Sequence, residues 1–200
     1  MPHSLSILAL GDSYTIGDGL PVEEAYPSVL AGLLKEKHQI SVNVKIVART
    51  GWTSGELLEN LLEYPIPDTY DFVYLLIGVN NQYRNLSPEA FREDLEKLFS
   101  LAHTYLVNSD DPLIVLSIPD WGQTPFGRQS GRSDISEEIK LFNFIIEEQC
   151  KAEKEIFVDI TELTVLFEQK EPYLNPDLLH PGSIIYKSWA NKVLNYTKLR

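Results

Sequence analysis

The sequence has few or none of the features that define several protein classes. Its 200 residues include one cysteine, Cys150, so no internal disulfide can form, and no cluster of cysteines and histidines has the spacing of a zinc site. No apolar run approaches the roughly 18 residues that a membrane-spanning helix needs, and no basic segment precedes the short apolar run near the N-terminus. The sequence therefore argues against disulfide-rich, zinc-stabilised and membrane-spanning proteins, and we expect a cytoplasmic location.

Basic residues are also scarce. Lys and Arg number 17 against 29 Asp and Glu, which gives a formal net charge of −12 with neutral histidines. This charge repels phosphate backbones and anionic lipid surfaces, so it argues against a nucleic acid partner and against stable membrane association. It favours neutral or cationic small molecules as ligands. A chain of this length is most simply one domain, residues 1–200, with a substantial core.

Short apolar runs alternate with longer amphipathic stretches along the chain. Strands are predicted at residues 5–10, 42–48, 71–77, 113–118 and 155–160, and helices at residues 23–37, 54–63, 87–105, 136–154 and 182–199. Runs that are apolar throughout suit strands covered on both faces. The alternation predicts the α/β class: a three-layer α/β/α sandwich around a central parallel sheet of about five strands, joined by right-handed crossovers.

Ligands of such sheets bind at the carboxyl ends of the strands, so the segments that follow the strands are where chemistry is expected. The first strand is followed by Gly11-Asp12-Ser13, the second by Gly51, and the third by Gly78-Val79-Asn80-Asn81. Asp177 and His180 precede the last helix. Each segment alone is weak evidence, because glycine after a strand is also ordinary turn chemistry.

Asp177 and His180 are spaced for a hydrogen bond between their side chains. Residues three apart on a helical turn face the same side, with Cβ atoms about 5–6 Å apart. A serine nucleophile needs a neutral imidazole to take its proton and a carboxylate to orient that imidazole. For the other histidines, His3, His38 and His103, surface or packing roles are the simpler interpretation. A capped turn leading into the last helix remains the alternative interpretation of Asp177 and His180.

Taken together and in this order, Gly11-Asp12-Ser13, Gly51, Gly78-x-Asn80 and Asp177-x-x-His180 resemble the sequence blocks of the GDSL esterases and lipases, also called SGNH hydrolases. The resemblance extends over essentially the whole chain. It implies the flavodoxin-like SGNH hydrolase fold and a carboxylic ester hydrolase that uses no metal and no organic cofactor. It implies Ser13 as nucleophile, His180 as general base and then general acid, and Asp177 as the orienting carboxylate. The implied oxyanion hole consists of the Ser13 and Gly51 backbone N–H groups and the Asn80 side-chain amide.

Two of the blocks depart from the family pattern. The third block of the family usually ends in Asp, whereas this chain has Asn81, so an amide replaces a carboxylate that normally makes a local hydrogen-bonded anchor. The last block often has Gly after its Asp, whereas Leu178 and Leu179 stand here. Neither change removes a residue to which the resemblance gives a catalytic role.

Aromatic residues in the predicted loops either line an acyl or sugar pocket or cap the core. They are Tyr14, Trp52, Tyr83, Trp121 and Phe126. Two roles are compatible with Arg49 and Arg84: binding a substrate carboxylate, or forming salt bridges on the surface. Residues 123–133, which include Arg128 and Arg132, show no clear periodicity. We predict that this loop is a mobile flap over the site.

The leading hypothesis is a hydrolase of small acetyl or short-chain esters that forms an acyl-Ser13 intermediate, with a small-molecule ester as its partner. Lysophospholipase or thioesterase activity is the broader alternative within the family, and a non-catalytic binding module on the same fold is the alternative from another class. The sequence contains neither the Gly-x-Ser-x-Gly motif of α/β-hydrolases nor a phosphate-binding Gly-x4-Gly-Lys loop. The oligomeric state is left open.

Overall fold

The computed structural model describes residues 4–169 and 172–199, and its centre is a five-stranded sheet. The strands are β1 (Ser4–Gly11), β2 (Ser41–Ala48), β3 (Phe72–Leu76), β4 (Ile114–Leu116) and β5 (Ile156–Val158). They lie in the order β2-β1-β3-β4-β5, and every neighbouring pair is parallel. The predicted α/β class is confirmed, and the strand order is that of flavodoxin-like folds.

Helices connect the strands and cover both faces of the sheet. Among the described residues the α-helices are α1 (Ser13–Ile16), α2 (Tyr26–His38), α3 (Ser54–Glu63), α4 (Val79–Tyr83), α5 (Pro88–His103), α6 (Pro125–Gln129), α7 (Ile135–Glu153) and α8 (Ser183–Leu194). The 3₁₀ helices are Val22–Glu24, Trp121–Gln123 and Thr161–Gln169. Helix α2 packs against α8 in one layer, while α3, α5 and α7 pack side by side in the other, as right-handed crossovers require. None of these helices is long and apolar enough to cross a membrane.

The middle of the sheet is buried from both sides. Ile7, Leu8, Ala9 and Leu10 of β1 are all fully buried, and successive side chains of a strand point to opposite faces. The edge strand β2 differs from the prediction that all strands are covered on both faces, because exposed residues alternate with half-buried ones along it. Helix α2 packs against β2, and the alternation of exposed with half-buried residues indicates that the other face of this strand is left to solvent.

Several predicted boundaries differ from the structure by a few residues, and proline explains two of the differences. Helix α2 begins at Tyr26 rather than residue 23, and the 3₁₀ helix Val22–Glu24 precedes it. Pro27 has no N–H to donate, so it is tolerated in the first turn of a helix but not in the interior. The segment 123–133, predicted as a loop, contains α6, which begins at Pro125 after the N-cap Thr124.

The carboxyl ends of β1, β2 and β3 are aligned. Gly11 at the end of β1 is level with Ala48 of β2 and with Leu76 of β3. Only glycine fits at position 11, because a Cβ there would lie 2.3 Å from the Leu76 carbonyl oxygen. The segments that begin after these three strands therefore start side by side at one edge of the sheet.

Candidate active site

Ser13 is the first residue of α1, two residues after the end of β1. Asp12 is the N-cap of this helix, and its Oδ1 accepts the Tyr14 N–H at 3.0 Å. The helix ends after one turn at Gly17, which has a φ of 75°. Ser13 is thus held in a short, capped turn at the carboxyl edge of the sheet, with 4% of its surface exposed.

The side chains of Ser13, His180 and Asp177 form an unbroken hydrogen-bonded chain. Ser13 Oγ lies 3.0 Å from His180 Nε2, and His180 Nδ1 lies 2.6 Å from Asp177 Oδ2. An ionised Asp177 can only accept, so Nδ1 of a neutral His180 carries the proton and donates it to this carboxylate. His180 Nε2 is then left as the acceptor for the Ser13 hydroxyl.

Asp177 is positioned by backbone groups as well as by His180. Its Oδ1 accepts the N–H groups of Leu179 and His180, each at 2.9 Å. Partial burial acts to raise the pKa of Asp177, but the hydrogen bonds from the His180 ring and these two N–H groups hold it below its ordinary value. Asp177 is therefore ionised at neutral pH and can stabilise a positively charged imidazole.

The segment 177–180 is a turn followed by a bend, not the helical turn assumed in the sequence-based argument. Leu178 has a φ of 60°, and its N–H donates to the Asn175 carbonyl oxygen at 2.9 Å. The Asn175 side chain donates to the Asp18 carbonyl oxygen at 2.8 Å, which ties this turn to the loop after α1. A contact between distant segments thus fixes the local conformation that presents His180 to Ser13.

Gly51 and Asn80 follow β2 and β3 at the same edge of the sheet. Gly51 has a φ of 85° in a turn closed by the hydrogen bond from Trp52 N to Arg49 O, 3.2 Å long. This value is what the third residue of a type II turn needs, so glycine suits the position. Asn80 Nδ2 donates to the Trp52 carbonyl oxygen at 2.9 Å and lies 3.4 Å from Asp12 Oδ2. The longer contact leaves the second amide hydrogen only weakly held.

Helix α4 and the residue after it bind the turn after β2 and the first residue of α3 through three hydrogen bonds. The hydrogen bonds run from Asn80 Nδ2 to Trp52 O (2.9 Å), from Ser54 N to Asn81 Oδ1 (2.9 Å) and from Arg84 Nη2 to Gly51 O (2.5 Å). The two segments that the sequence assigns to the oxyanion hole are therefore fastened to each other.

Asn81, which stands where the family usually has Asp, is connected to Asp94 of α5 through Ser54. Asn81 Nδ2 donates to Ser54 Oγ at 2.6 Å, and Ser54 Oγ donates to Asp94 Oδ2 at 2.6 Å. Position 81 has no carboxylate, but the Asp94 carboxylate is linked to it through the Ser54 hydroxyl group. Asp94 could not be identified from the sequence, because a lone Asp in an amphipathic helix carries no sign of a partner 40 residues away.

Asp12 is a buried carboxyl group directly beside Ser13, with 1% of its surface exposed. Burial raises its pKa to about 7, against the lowering effect of hydrogen bonds from the Tyr14 N–H and the Asn80 amide. Loss of hydration disfavours the ionised form of a carboxyl group. A substantial fraction of Asp12 is therefore neutral at neutral pH, which limits the negative charge next to Ser13.

Three of the five aromatic residues named from the sequence form one cluster. The ring centroids of Tyr83 and Trp121 are 5.3 Å apart, and those of Trp121 and Phe126 are 6.1 Å apart. Trp121 is buried, whereas Tyr83 and Phe126 are 49% and 39% exposed. The Phe126 N–H donates to the Leu178 carbonyl oxygen at 3.2 Å, so the cluster adjoins the turn that carries His180.

The other two aromatic residues are packed against the core. Tyr14 is 2% exposed, and its ring centroid lies 5.2 Å from that of His180 and 6.3 Å from that of Trp189. Trp52 is half-buried and packs against the hydrophobic core. Tyr14 therefore supports the imidazole from the core side and has little surface left to line a pocket.

Gln82 and Glu138, which the sequence-based argument did not single out, hold the aromatic cluster in place. The Trp121 indole N–H donates to Gln82 Oε1 at 2.6 Å, and Gln82 Nε2 donates to Glu138 Oε2 at 2.7 Å. Arg132 donates to the same Glu138 oxygen at 2.5 Å and to the Tyr83 carbonyl oxygen at 3.2 Å. The predicted flap is thus bonded to the rest of the site through Arg132, and its mobility stays a prediction.

The remaining histidines lie apart from this chain of contacts or outside the described residues. His103 Nε2 is 2.6 Å from Glu155 Oε1, and His38 is the last residue of α2. His3 lies outside the described residues. Among the residues that the structure describes, His180 is the histidine that contacts Ser13.

Comparison with known proteins gives a family and a fold. A profile of the GDSL-like Lipase/Acylhydrolase family matches residues 9–187. An arylesterase from Vibrio mimicus is 34% identical over 98 residues, which are 49% of this chain and 48% of the relative. The match thus spans about half the length of that curated relative.

Solved structures share the fold at lower sequence identity. A lipase/acylhydrolase from Enterococcus faecalis has a TM-score of 0.74 at 20% identity, covering 96% of this chain and 94% of that one. An acetylxylan esterase from Geobacillus stearothermophilus has a TM-score of 0.76 at 15% identity, covering 98% of this chain and 95% of that one. These similarities show the three-layer fold over nearly the whole chain.

Proposed function

The chain belongs to the GDSL-like lipase/acylhydrolase family, and from this we propose that it hydrolyses carboxylic esters through a covalent acyl-Ser13 intermediate. The single observation that supports this mechanism best is the chain of contacts Ser13 Oγ to His180 Nε2, 3.0 Å, and His180 Nδ1 to Asp177 Oδ2, 2.6 Å. A hydroxyl, an imidazole and a carboxylate in this arrangement are what an activated serine needs.

In the first half of the reaction, Ser13 Oγ attacks the carbonyl carbon of the ester while His180 Nε2 takes the hydroxyl proton. The imidazolium that forms is stabilised by Asp177, which stays ionised. The carbonyl oxygen becomes an oxyanion that accepts hydrogen bonds from the Ser13 and Gly51 N–H groups and the Asn80 amide. One such side-chain donor is typically worth about 10²–10³ in kcat. His180 then protonates the alcohol oxygen, the bond from the carbonyl carbon to that oxygen breaks, and the alcohol leaves.

In the second half, water replaces the alcohol. His180 Nε2 takes a proton from the water, whose oxygen attacks the carbonyl carbon of acyl-Ser13. The oxyanion forms again in the same place, the bond to Ser13 Oγ breaks, and the proton on His180 returns to that oxygen. The products are a carboxylic acid and the free serine, so the cycle needs no other reactant.

Small acetyl or short-chain esters are the substrates that we propose. Ser13 and His180 are largely buried, which suits a small acyl group, and the exposed faces of Tyr83 and Phe126 offer an apolar surface to the rest of the ester. The net charge of −12 favours neutral or cationic esters. The names of two similar proteins, an arylesterase and an acetylxylan esterase, are consistent with this class. Lysophospholipid or thioester cleavage is the alternative within the family.

The test combines an ester panel with a serine label. The purified protein is assayed with p-nitrophenyl esters of increasing acyl length, an acetylated sugar, a lysophospholipid and an acyl thioester. We expect turnover to be greatest with the shortest acyl chains and to be abolished in Ser13→Ala. Ser188→Ala, which removes a hydroxyl from α8, is the matched control and should retain full activity.

A fluorophosphonate probe separates an enzyme from a binding module. The probe should label the wild-type protein and Ser188→Ala but not Ser13→Ala, because only an activated serine reacts. A folded wild-type protein that takes no label and hydrolyses no ester would favour the non-catalytic alternative. Preference for the lysophospholipid or the thioester over acetyl esters would overturn the substrate class and leave the mechanism intact.

A further inference from the structure

Arg84 directly follows α4 and reaches back to the turn that contains Gly51. Its Nη2 donates to the Gly51 carbonyl oxygen at 2.5 Å, and its Nη1 donates to Glu56 Oε1 at 3.1 Å. Nη2 also lies 3.5 Å from the point where a Cβ of residue 51 would stand. Two donors of this guanidinium are thus directed at groups of the protein itself, which argues against a role as ligand of a substrate carboxylate.

Glu56 anchors Arg84 to the first turn of α3. Its Oε2 accepts the Thr53 N–H at 2.8 Å as part of the capping box that begins this helix. The hydrogen bond from Thr53, together with the Arg84 guanidinium and against the opposite effect of burial, holds the pKa of Glu56 below its ordinary value. Glu56 is therefore ionised at neutral pH and restrains the guanidinium in the direction of Gly51.

The backbone of Arg84 belongs to the same structural unit as Asn80. The Arg84 N–H donates to the Asn80 carbonyl oxygen at 3.0 Å and so closes α4. One residue therefore contacts both of the segments that supply oxyanion donors outside α1. Its main chain is fixed to the Asn80 segment, and its side chain is fixed to the Gly51 segment.

An oxyanion hole accelerates a reaction because its donors are in place before the charge develops. Donors on different segments must be held within about 0.5 Å of the productive geometry. Glycine has the greatest backbone freedom of all residues, so the turn around Gly51 cannot supply that rigidity alone. The turn sets the direction of the Gly51 N–H. The position of this N–H relative to Asn80 depends on a contact between the turn and α4.

We propose that Arg84 is a positioning residue of the oxyanion hole, which fixes the Gly51 N–H relative to the Asn80 amide by holding the Gly51 carbonyl oxygen. The inference rests on the proposed esterase function and adds to it a residue that does not contact substrate. The proposal explains why Arg84, which is exposed, donates to the Gly51 carbonyl oxygen in addition to its salt bridge with Glu56.

The experiment compares wild type, Arg84→Ala and Arg84→Lys in the hydrolysis of p-nitrophenyl acetate. Arg92→Ala is the matched control, because it removes the same charge from a half-buried side chain of α5, outside the turn of Gly51. The affinity of each protein for phenylboronic acid is measured as well. Boron bonds to the serine oxygen and becomes tetrahedral, which places one of its oxygens in the oxyanion hole, so this affinity reports the hole directly.

Arg84→Ala should lower kcat on the order of 10-fold, less than the about 10²–10³ expected for loss of a donor itself, and should leave KM nearly unchanged. Its affinity for phenylboronic acid should fall by a similar factor. Arg84→Lys should recover part of both, since an ammonium group can donate to the Gly51 carbonyl. Guanidinium ion at a non-denaturing concentration should raise kcat of Arg84→Ala but not of Arg92→Ala.

Other results would overturn the assignment. If Arg84→Ala raises KM at constant kcat and constant boronate affinity, Arg84 contacts substrate instead. If it lowers the melting temperature but leaves kcat and boronate affinity unchanged, its role is structural only. Wild-type protein that hydrolyses no ester would overturn the proposed function, and this inference with it. An active wild type with an unaffected Arg84→Ala variant would overturn the Arg84 assignment alone.

Discussion

The Asn81 side chain joins α4 to α3, because its Oδ1 accepts the Ser54 N–H at 2.9 Å while its Nδ2 donates to Ser54 Oγ at 2.6 Å. Ser54 has one hydroxyl hydrogen, and it goes to Asp94 Oδ2 at 2.6 Å. The Ser54 N–H, the Ser54 hydroxyl and one Asn81 amide hydrogen each face an acceptor. The arrangement depends on an amide at position 81, because a carboxylate there could not donate to the hydroxyl oxygen of Ser54.

Replacement of Asn81 by Asp should therefore destabilise the protein, although it restores the residue usual in the family. Two carboxylates would compete for one hydroxyl hydrogen and would repel each other. We expect Asn81→Asp to lower the free energy of unfolding by about 1–2 kcal/mol at pH 7, measured by urea titration.

The control exchanges the amide of residue 81 and the carboxylate of residue 94. Adding Asp94→Asn to Asn81→Asp puts an amide where the carboxylate was and should recover most of the lost stability. A double-mutant cycle measures this coupling. Strictly additive effects of the two substitutions would show that the hydrogen bonds through Ser54 do not link Asn81 and Asp94.

Asp12 should make the stability of the protein depend on pH. Burial raises the pKa of this carboxyl group from 3.8 to about 7, so between these values the folded state holds a proton that the unfolded state has lost. The free energy of unfolding then decreases as the pH rises from about 4 to about 7. Each pKa unit corresponds to about 1.4 kcal/mol, so the effect is large enough to measure.

Asp12→Asn should flatten this dependence, because the amide keeps an oxygen that can cap α1 and has no proton to lose in this range. Urea unfolding of wild type and Asp12→Asn at several pH values between 4 and 8 gives the two slopes. Asp68→Asn removes a carboxylate from an exposed position and should leave the wild-type slope unchanged. Parallel curves for wild type and Asp12→Asn would contradict the raised pKa of Asp12.

Leu178 stands between Asp177 and His180 with a φ of 60°, a conformation that disfavours residues with a Cβ. We compare Gly with Ala at this position, so that both variants lack the leucine side chain. Leu178→Gly should be more stable than Leu178→Ala by about 1 kcal/mol in thermal or urea unfolding, because only the Ala variant strains the backbone.

The neighbouring residue Leu179 provides the control. It has no positive φ, so there Ala should be more stable than Gly, the opposite order. The same order at both positions would show that the turn before His180 relaxes when Leu178 is replaced. In that case the left-handed conformation would not be a fixed feature of the site.

The sequence predicted the strands best where the local pattern was strongest. The buried run from Ile7 to Leu10 is apolar on both faces and predicted a central strand. Prediction was poorer where a short helix depends on its cap, as for α6 after Thr124 in a segment expected to be a loop. The turn between Asp177 and His180 was assumed to be helical, but the Asn175 contact to Asp18 gives it another form.

The sequence by itself determined the order of the strands and the longer helices, the family and the residues proposed for the chemistry, because strand periodicity and short motifs are local properties of a chain. Tertiary structure alone decided that His180 meets Ser13 across 167 residues, that Arg84 meets Gly51 across 33, and that Ser54 meets Asp94 across 40. The spacing of Asp177 and His180 predicted their hydrogen bond, but donors and acceptors that are far apart in the chain carry no local sign of their partners. The aligned ends of β1, β2 and β3 bring the segments of Ser13, Gly51 and Arg84 together, and the packing of α3 on α5 brings Ser54 to Asp94.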